Sequence, residues 1–193
     1  MHVKMKFFPL FFLLLPGIMI FSCNAASTGN RDVTNDYFLI TTAIRTSKAS
    51  RNEFQEKFAI ALDSFFVKDN PSVNLNELNL LLQTAGKENI KAEALLQAAN
   101  EIDSSLLYKA RALKMFKLLD KQYNTVYPEI LTIMGSTAKN KKGAIAQIIV
   151  PAADALKILA KNVVYTADSV VKKYNLKLLT IDSLEICCGV LTL

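Results

Sequence analysis

Phe54, Phe58, Ala61, Leu62 and Phe65 recur at helical spacing, and the repetition of that spacing along most of the chain commits it to helices. Side chains three and four apart share one face of a helix, whereas a half-buried strand would alternate with a period of two. Nowhere do alternating runs appear between Gly-rich turns, and there is no repeat period, no GxGxxG and no P-loop.

Asp32 or Thr34 is placed to cap a first helix, with Tyr37, Ile40, Ala43 and Ile44 as its apolar stripe, running to about Lys48. Ser50 and Glu53 then read as a capping box ahead of the Phe54–Phe65 stripe, which Asp69-Asn70-Pro71 stops. Asn74 and Glu77 repeat the capping pattern for Leu75, Leu78, Leu81, Leu82 and Ala85, with Gly86 as the C-terminal cap.

A long, kinked helix is expected from Asn89 to Tyr123. Ile90, Ala94, Leu95, Ala98, Ala99 and Ile102 are apolar in its first half, and Leu106, Leu113, Phe116 and Leu119 in its second; Asp103-Ser104-Ser105 is its weak point. Tyr127-Pro128 opens a short helix that Gly135 ends, and Lys139 to Gly143 reads as a loop. Ala144 to Tyr174 is helical in pattern, with Pro151 kinking it or starting it afresh and Asn175 as its C-cap. The tail from Leu176 to Leu193 is apolar; Asp182 caps a last helix there, or the tail is a strand.

The first two dozen residues have a different character. Lys4 and Lys6 precede an uncharged run from Phe7 to Phe21, and Ser22, Cys23, Asn24, Ala25 and Ala26 supply small or short residues. That order is the signature of a secretory signal peptide, and the run, interrupted by Pro16-Gly17, falls short of the roughly 20 apolar residues of a spanning helix. Cleavage after Cys23-Asn24-Ala25 would release a soluble protein. Ile20-Phe21-Ser22-Cys23 instead resembles a bacterial lipobox, with Phe21 where the pattern has a small residue; the resemblance implies lipidation of Cys23 as the new N-terminus. The expected organisation is a signal over 1–22, a flexible mature N-terminus or tether over 23–31, and a single α-helical domain over 32–193. The fold class is all-α, a helical bundle of about five to seven helices after the cleaved signal.

Composition narrows the chemistry. The one histidine of the chain, His2, lies in the signal, so a processed protein would hold no imidazole for Ser-His-Asp or Cys-His catalysis, for metal ligation or for a pH switch. Loss of Lys4 and Lys6 lowers the formal net charge from +6 to about +4, without the dense basic patch of a nucleic-acid binder. Cys187 and Cys188 are adjacent: a bond between them would close a strained ring, and they read as a disulfide or redox candidate, or as two small apolar residues. No metal site and no cofactor are expected.

Four constellations carry the functional expectations. Arg111, Lys114, Lys117 and Lys121 fall on one side of a helix, opposite Ala112, Met115, Phe116, Leu119 and Tyr123, as in a helix lying on an anionic membrane surface or on a bundle. Ala144 to Ala160 is very apolar: a central bundle helix surrounded on all sides, or a segment that inserts into a bilayer. Phe38, Phe54, Phe58, Phe65, Phe66 and Phe116, with Tyr37, Tyr108, Tyr123, Tyr127, Tyr165 and Tyr174, either form the core or enclose an apolar ligand. Glu53 and Glu56 share a turn, while Glu101 and Asp103 point apart, which gives no convergent acid–base pair. The expectation is therefore a secreted or lipid-anchored, non-enzymatic helical protein that binds a protein, a surface or a small apolar ligand. The alternative is a membrane-active effector that inserts Ala144 to Ala160.

Overall fold

The computed structural model describes residues 33–68 and 73–176, all within one compact unit, Asp32–Leu193. Among these residues there are helices and no strands: α1 (Val33–Thr46), α2 (Lys48–Lys68), α3 (Leu75–Ala98), α4 (Tyr108–Lys121), a π-turn (Gln122–Val126), α5 (Tyr127–Gly135) and α6 (Lys141–Lys173). Only Ser47 separates α1 from α2, and α4 runs through the π-turn into α5, so the described residues make four helical stretches, short of the five to seven helices expected for the whole domain. The expected signal and tether, Asp32, Asp69-Asn70-Pro71 and the apolar tail beyond Leu176 lie outside the described residues.

The capping box expected at Ser50 and Glu53 does not form, because the helix is already under way at Lys48. Ser47 takes the capping position, its carbonyl accepting from the Arg51 amide at 3.1 Å. Asn74 does cap α3, accepting from the Glu77 amide at 3.1 Å.

Gly86 does not end α3. It sits mid-helix facing the π-turn, where a Cβ would meet the Tyr123 Cβ at 3.7 Å. Without that break the helix carries its phase onward: Leu78, Leu82 and Ala85 are followed by Asn89, Ala92 and Leu96. The core face therefore takes in Asn89, and Ile90 and Leu95, expected inside, stand 60% and 38% exposed. Burial of Asn89 is offset in part by its amide donating to the Phe116 carbonyl at 3.2 Å.

The long helix expected from Asn89 to Tyr123 is two helices. α3 stops at Ala98, and residues 99–107 form a loop in which Leu107 adopts φ 56°, a left-handed conformation that no continuous helix accommodates. The short helix expected from Tyr127-Pro128 to Gly135 is α5, and it follows α4 directly through the π-turn. Pro128 has no N–H and its ring crowds the preceding turn; the wider π-turn gives it room, with the Tyr127 amide reaching back to the Gln122 carbonyl.

α6 begins at Lys141 and runs through Pro151 without starting afresh. Lys141 and Lys142, expected in a loop, are in its first turn and cap other helices, donating to the Met134 carbonyl at 3.3 Å and the Phe66 carbonyl at 2.8 Å. At the far end Asn175 takes φ 48°, and the Leu176 amide closes back on the Val171 carbonyl at 3.1 Å, a Schellman-type stop.

The core gathers the inner faces of all four stretches, with Ile40, Phe54, Phe58, Leu62, Leu96, Phe116 and Ile145 fully enclosed. Rings tie the helices together. Tyr37 stacks on Tyr108 at 5.8 Å, and Tyr127 meets Phe54 and Phe58 edge-on at 4.8 and 5.0 Å. Burial raises the ionisation of Tyr37, Tyr108, Tyr123 and Tyr127 above the ordinary tyrosine range, so these hydroxyls stay neutral.

Candidate functional site

The densest polar arrangement among the described residues is the α3–α4 loop. Glu101 lies across the start of α4, its two carboxylate oxygens accepting from the amides of Lys109 at 3.0 Å and Ala110 at 2.9 Å. Lys109 points the other way, donating to the carbonyls of Gln97 at 3.0 Å and Ala99 at 2.5 Å at the end of α3. Each thus satisfies backbone groups that a helix end leaves unpaired.

Two buried aspartates hold this loop to the rest of the fold. Asp36 on α1 accepts from the Asn100 amide at 2.8 Å. Asp103 accepts from the Ser105 amide and hydroxyl at 2.7 and 2.6 Å, from the Tyr174 hydroxyl at 3.0 Å and from the Lys173 ammonium. The Lys173 and Ser105 bonds hold the Asp103 carboxyl well below the usual carboxylate range, and the same contact raises Lys173 and Tyr174. Asp103, Lys173, Tyr174 and Ser105 form a closed clasp in which every acidic oxygen is engaged. Its chemistry is to fix the loop to the end of α6; it has no poised base. Glu101 and Asp103 do point apart, to α4 and to α6.

The basic helix matches α4. Lys114, Lys117 and Lys121 are exposed, and Ala112, Met115, Phe116 and Leu119 are buried opposite. Arg111 is exposed but engaged, its guanidinium donating to the Thr166 hydroxyl on α6 at 2.8 Å. Leu118, which interrupts the basic side, is half-buried against the core.

Among the described residues, α6 is covered on one side only. It is the one described helix long and apolar enough to cross a membrane, a property of length and composition that buried helices of soluble proteins share. One face is inward, with Ile145, Ile149, Leu156, Ala160 and Val163 buried, while Val150, Ile158 and Tyr165 are 48%, 60% and 59% exposed. The expectation of a central helix fails because, among the described residues, other helices meet one side of α6 and leave Val150, Ile158 and Tyr165 open. Insertion of Ala144 to Ala160 would take Ile145, Ile149 and Leu156 out of the core and open to water the apolar surfaces they cover.

The aromatic set divides. Phe54, Phe58, Phe65 and Phe116 are core, Phe66 is half-buried, and Phe38 is 58% exposed on α1. The rings of Phe54, Phe58, Tyr123 and Tyr127 pack against one another at centroid separations of 4.8 to 6.4 Å, filling the space that an enclosed apolar ligand would need. An open cleft of about 330 Å³ lies instead between α2 and the start of α3, lined by Lys57, Ile60, Ser64, Val73, Glu77 and their neighbours. Its lining is half polar and includes the Lys57–Glu77 ion pair at 3.9 Å.

No cluster of His, Cys, Asp and Glu suited to a metal ion occurs among the described residues. Cys23, Cys187 and Cys188 lie outside them. The Asp103 clasp was missed in the sequence because its partner Lys173 is 70 residues away; the only local signal was the Asp-Ser-Ser turn composition. No family model, curated protein or solved structure matches the chain.

Proposed function

We propose that this chain is exported, either released or anchored through a lipidated Cys23, and that its mature part is a helical bundle acting by binding at its outer surface rather than by catalysis. The observation that carries this reading is the division of side chains. The buried acids Asp36 and Asp103 and the half-buried Glu101 are committed to holding the α3–α4 loop, while large apolar side chains on α6 are presented to the outside. A catalytic site would reverse that division, with free polar groups converging in a cleft. A surface partner needs the arrangement present here, with exposed apolar anchors on a rigid helix.

The Phe54 to Tyr127 ring cluster argues against an apolar ligand carried in the interior, because its rings already occupy the volume. The partner is therefore a protein or a surface, and no nucleic acid is implied.

The test is the intact mass and first residue of the protein recovered from the cells that make it. A chain beginning at lipid-modified Cys23, or at a free residue shortly after it, supports export. A chain retaining Met1 and the Phe7–Phe21 run inside the cytoplasm overturns it.

A further inference from the structure

Two hydrogen bonds define how α4 and α6 lie together. Arg111 donates to Thr166 at 2.8 Å, and the Gln122 amide donates to the Ala152 carbonyl at 2.8 Å. Contacts advance along α4 as they retreat along α6, so the helices are antiparallel, with Lys114 to Lys121 beside the middle of α6. Met115 and Leu119 on α4 and Leu156 and Val163 on α6 are buried on the same side of this seam. The opposite sides of both helices therefore face outward together.

Helical geometry assigns that outward face. On α6, Pro151, Ile158 and Tyr165 stand seven apart and form one exposed line, with Ala155 and Asn162 exposed between them and the seam. On α4, Lys114 and Lys121 are likewise seven apart, with Lys117 beyond them. Lys157 and Lys161 border the far side of the α6 line, and the Lys161 ammonium sits 5.6 Å from the Tyr165 ring centroid. Asp154 and Asp168 on α6 and Asp120 on α4 are the acids beside these rows, and they are outnumbered by Lys114, Lys117, Lys121, Lys157, Lys161 and Lys172. The result is an apolar ridge between two rows of lysines.

We infer that this α4–α6 face docks on an anionic membrane surface, with Ile158 and Tyr165 entering the interface and the flanking lysines meeting lipid phosphates. This deepens the surface-binding reading above and rests on it. Charge complementarity decides the occupant: a ridge of apolar side chains edged on both sides by ammonium groups matches the layered chemistry of an anionic bilayer surface. Docking also leaves Ile145, Ile149 and Leu156 in the core, whereas insertion of α6 would draw them out. Tyr165 supplies an amphipathic ring suited to the headgroup level.

The chain has no tryptophan, so one introduced indole reports a single place. Ile158→Trp puts the reporter on the ridge, and Leu80→Trp, at a position 65% exposed on α3, puts it elsewhere. The full chain is mixed with vesicles of phosphatidylcholine alone or with about one third phosphatidylglycerol. The expected result is a blue shift and protection from acrylamide for Ile158→Trp on anionic vesicles only, and none for Leu80→Trp. Because the reporter sits on α6, adsorption through the Phe7–Phe21 run leaves it unchanged. Lys114→Glu, Lys117→Glu and Lys121→Glu together, in the Ile158→Trp background, should raise the lipid needed for half the shift by about tenfold or more. No shift at either position, an equal shift at both, or an equal response to neutral vesicles overturns the inference. So does capture of a protein by this face without any vesicle response. A dark ridge in a protein whose N-terminus proves export removes the membrane assignment and leaves the binding reading standing.

Discussion

Glu101 and Lys109 cap each other's neighbouring helices: the carboxylate accepts from the Lys109 amide at 3.0 Å to start α4, and the ammonium reaches the Ala99 carbonyl at 2.5 Å to finish α3. Both residues serve one junction, so their effects should be coupled. Glu101→Ala is expected to cost about 1 kcal/mol, the usual value of an N-terminal cap. Lys109→Met should cost a similar amount, and the double variant less than the sum. Urea unfolding of the four proteins checks this, and strict additivity would show that the two caps act independently.

The Asp103 clasp has a pH signature. The Asp103 carboxyl is held below its unfolded value, so its contribution to stability is present above about pH 4 and is lost as pH falls through the folded value. Lys173 is raised, so its contribution is present below about pH 10.4 and is lost as pH rises through the folded value. Asp103→Asn should therefore destabilise the protein at pH 7 and do so progressively less below pH 4. Denaturant unfolding of both proteins at pH 7 and pH 3 measures it, and an equal deficit at the two values would contradict the role given to the ion pair.

Gly86 lies inside α3, where glycine carries an entropic cost and an added methyl meets the Tyr123 Cβ at an ordinary 3.7 Å. Gly86→Ala should stabilise the protein by up to about 1 kcal/mol. A lower melting temperature would mean that α3 and the π-turn cannot accept even that contact.

Leu107 holds φ 56° and is 43% exposed, so it bears left-handed strain with modest burial in return. Leu107→Gly should relieve about 1 kcal/mol of that strain, less what the lost side-chain contacts supplied. Leu107→Val, β-branched at the same angle, should destabilise. Thermal melts of the pair separate backbone strain from packing, since packing alone would make the glycine variant the weaker of the two.

Helical character and the inward stripes of α1, α2 and α4 were legible in the sequence because periodicity there is local and uninterrupted: Ile40 and Ile44, Phe54 and Phe58, and Met115 and Leu119 fall where their spacing places them. Errors arose where one residue was given its usual local meaning. Gly86 by its local meaning is a cap, but continuing burial of Leu82, Ala92 and Leu96 outweighs its local cost, and the helix that runs on places Asn89 on the core face. Ser50 carries the capping motif, whereas Ser47, which holds the position, begins no such motif. Composition alone makes α6 look central; packing among the described residues covers a single side of it. The Lys114–Lys121 row was visible as a helical face, but its adjacency to Ile158 and Tyr165 depends on two long-range hydrogen bonds that no local pattern contains.

Lysine acylation footprinting read by mass spectrometry, with and without anionic vesicles, tests most directly whether this protein acts through the outward face of α4 and α6. Lys114, Lys117, Lys121, Lys157 and Lys161 are expected to lose reactivity when vesicles are present, while Lys57, Lys87 and Lys91 on α2 and α3 keep theirs. Uniform labelling at all of them, or protection centred on Lys57, Lys87 and Lys91, would contradict it.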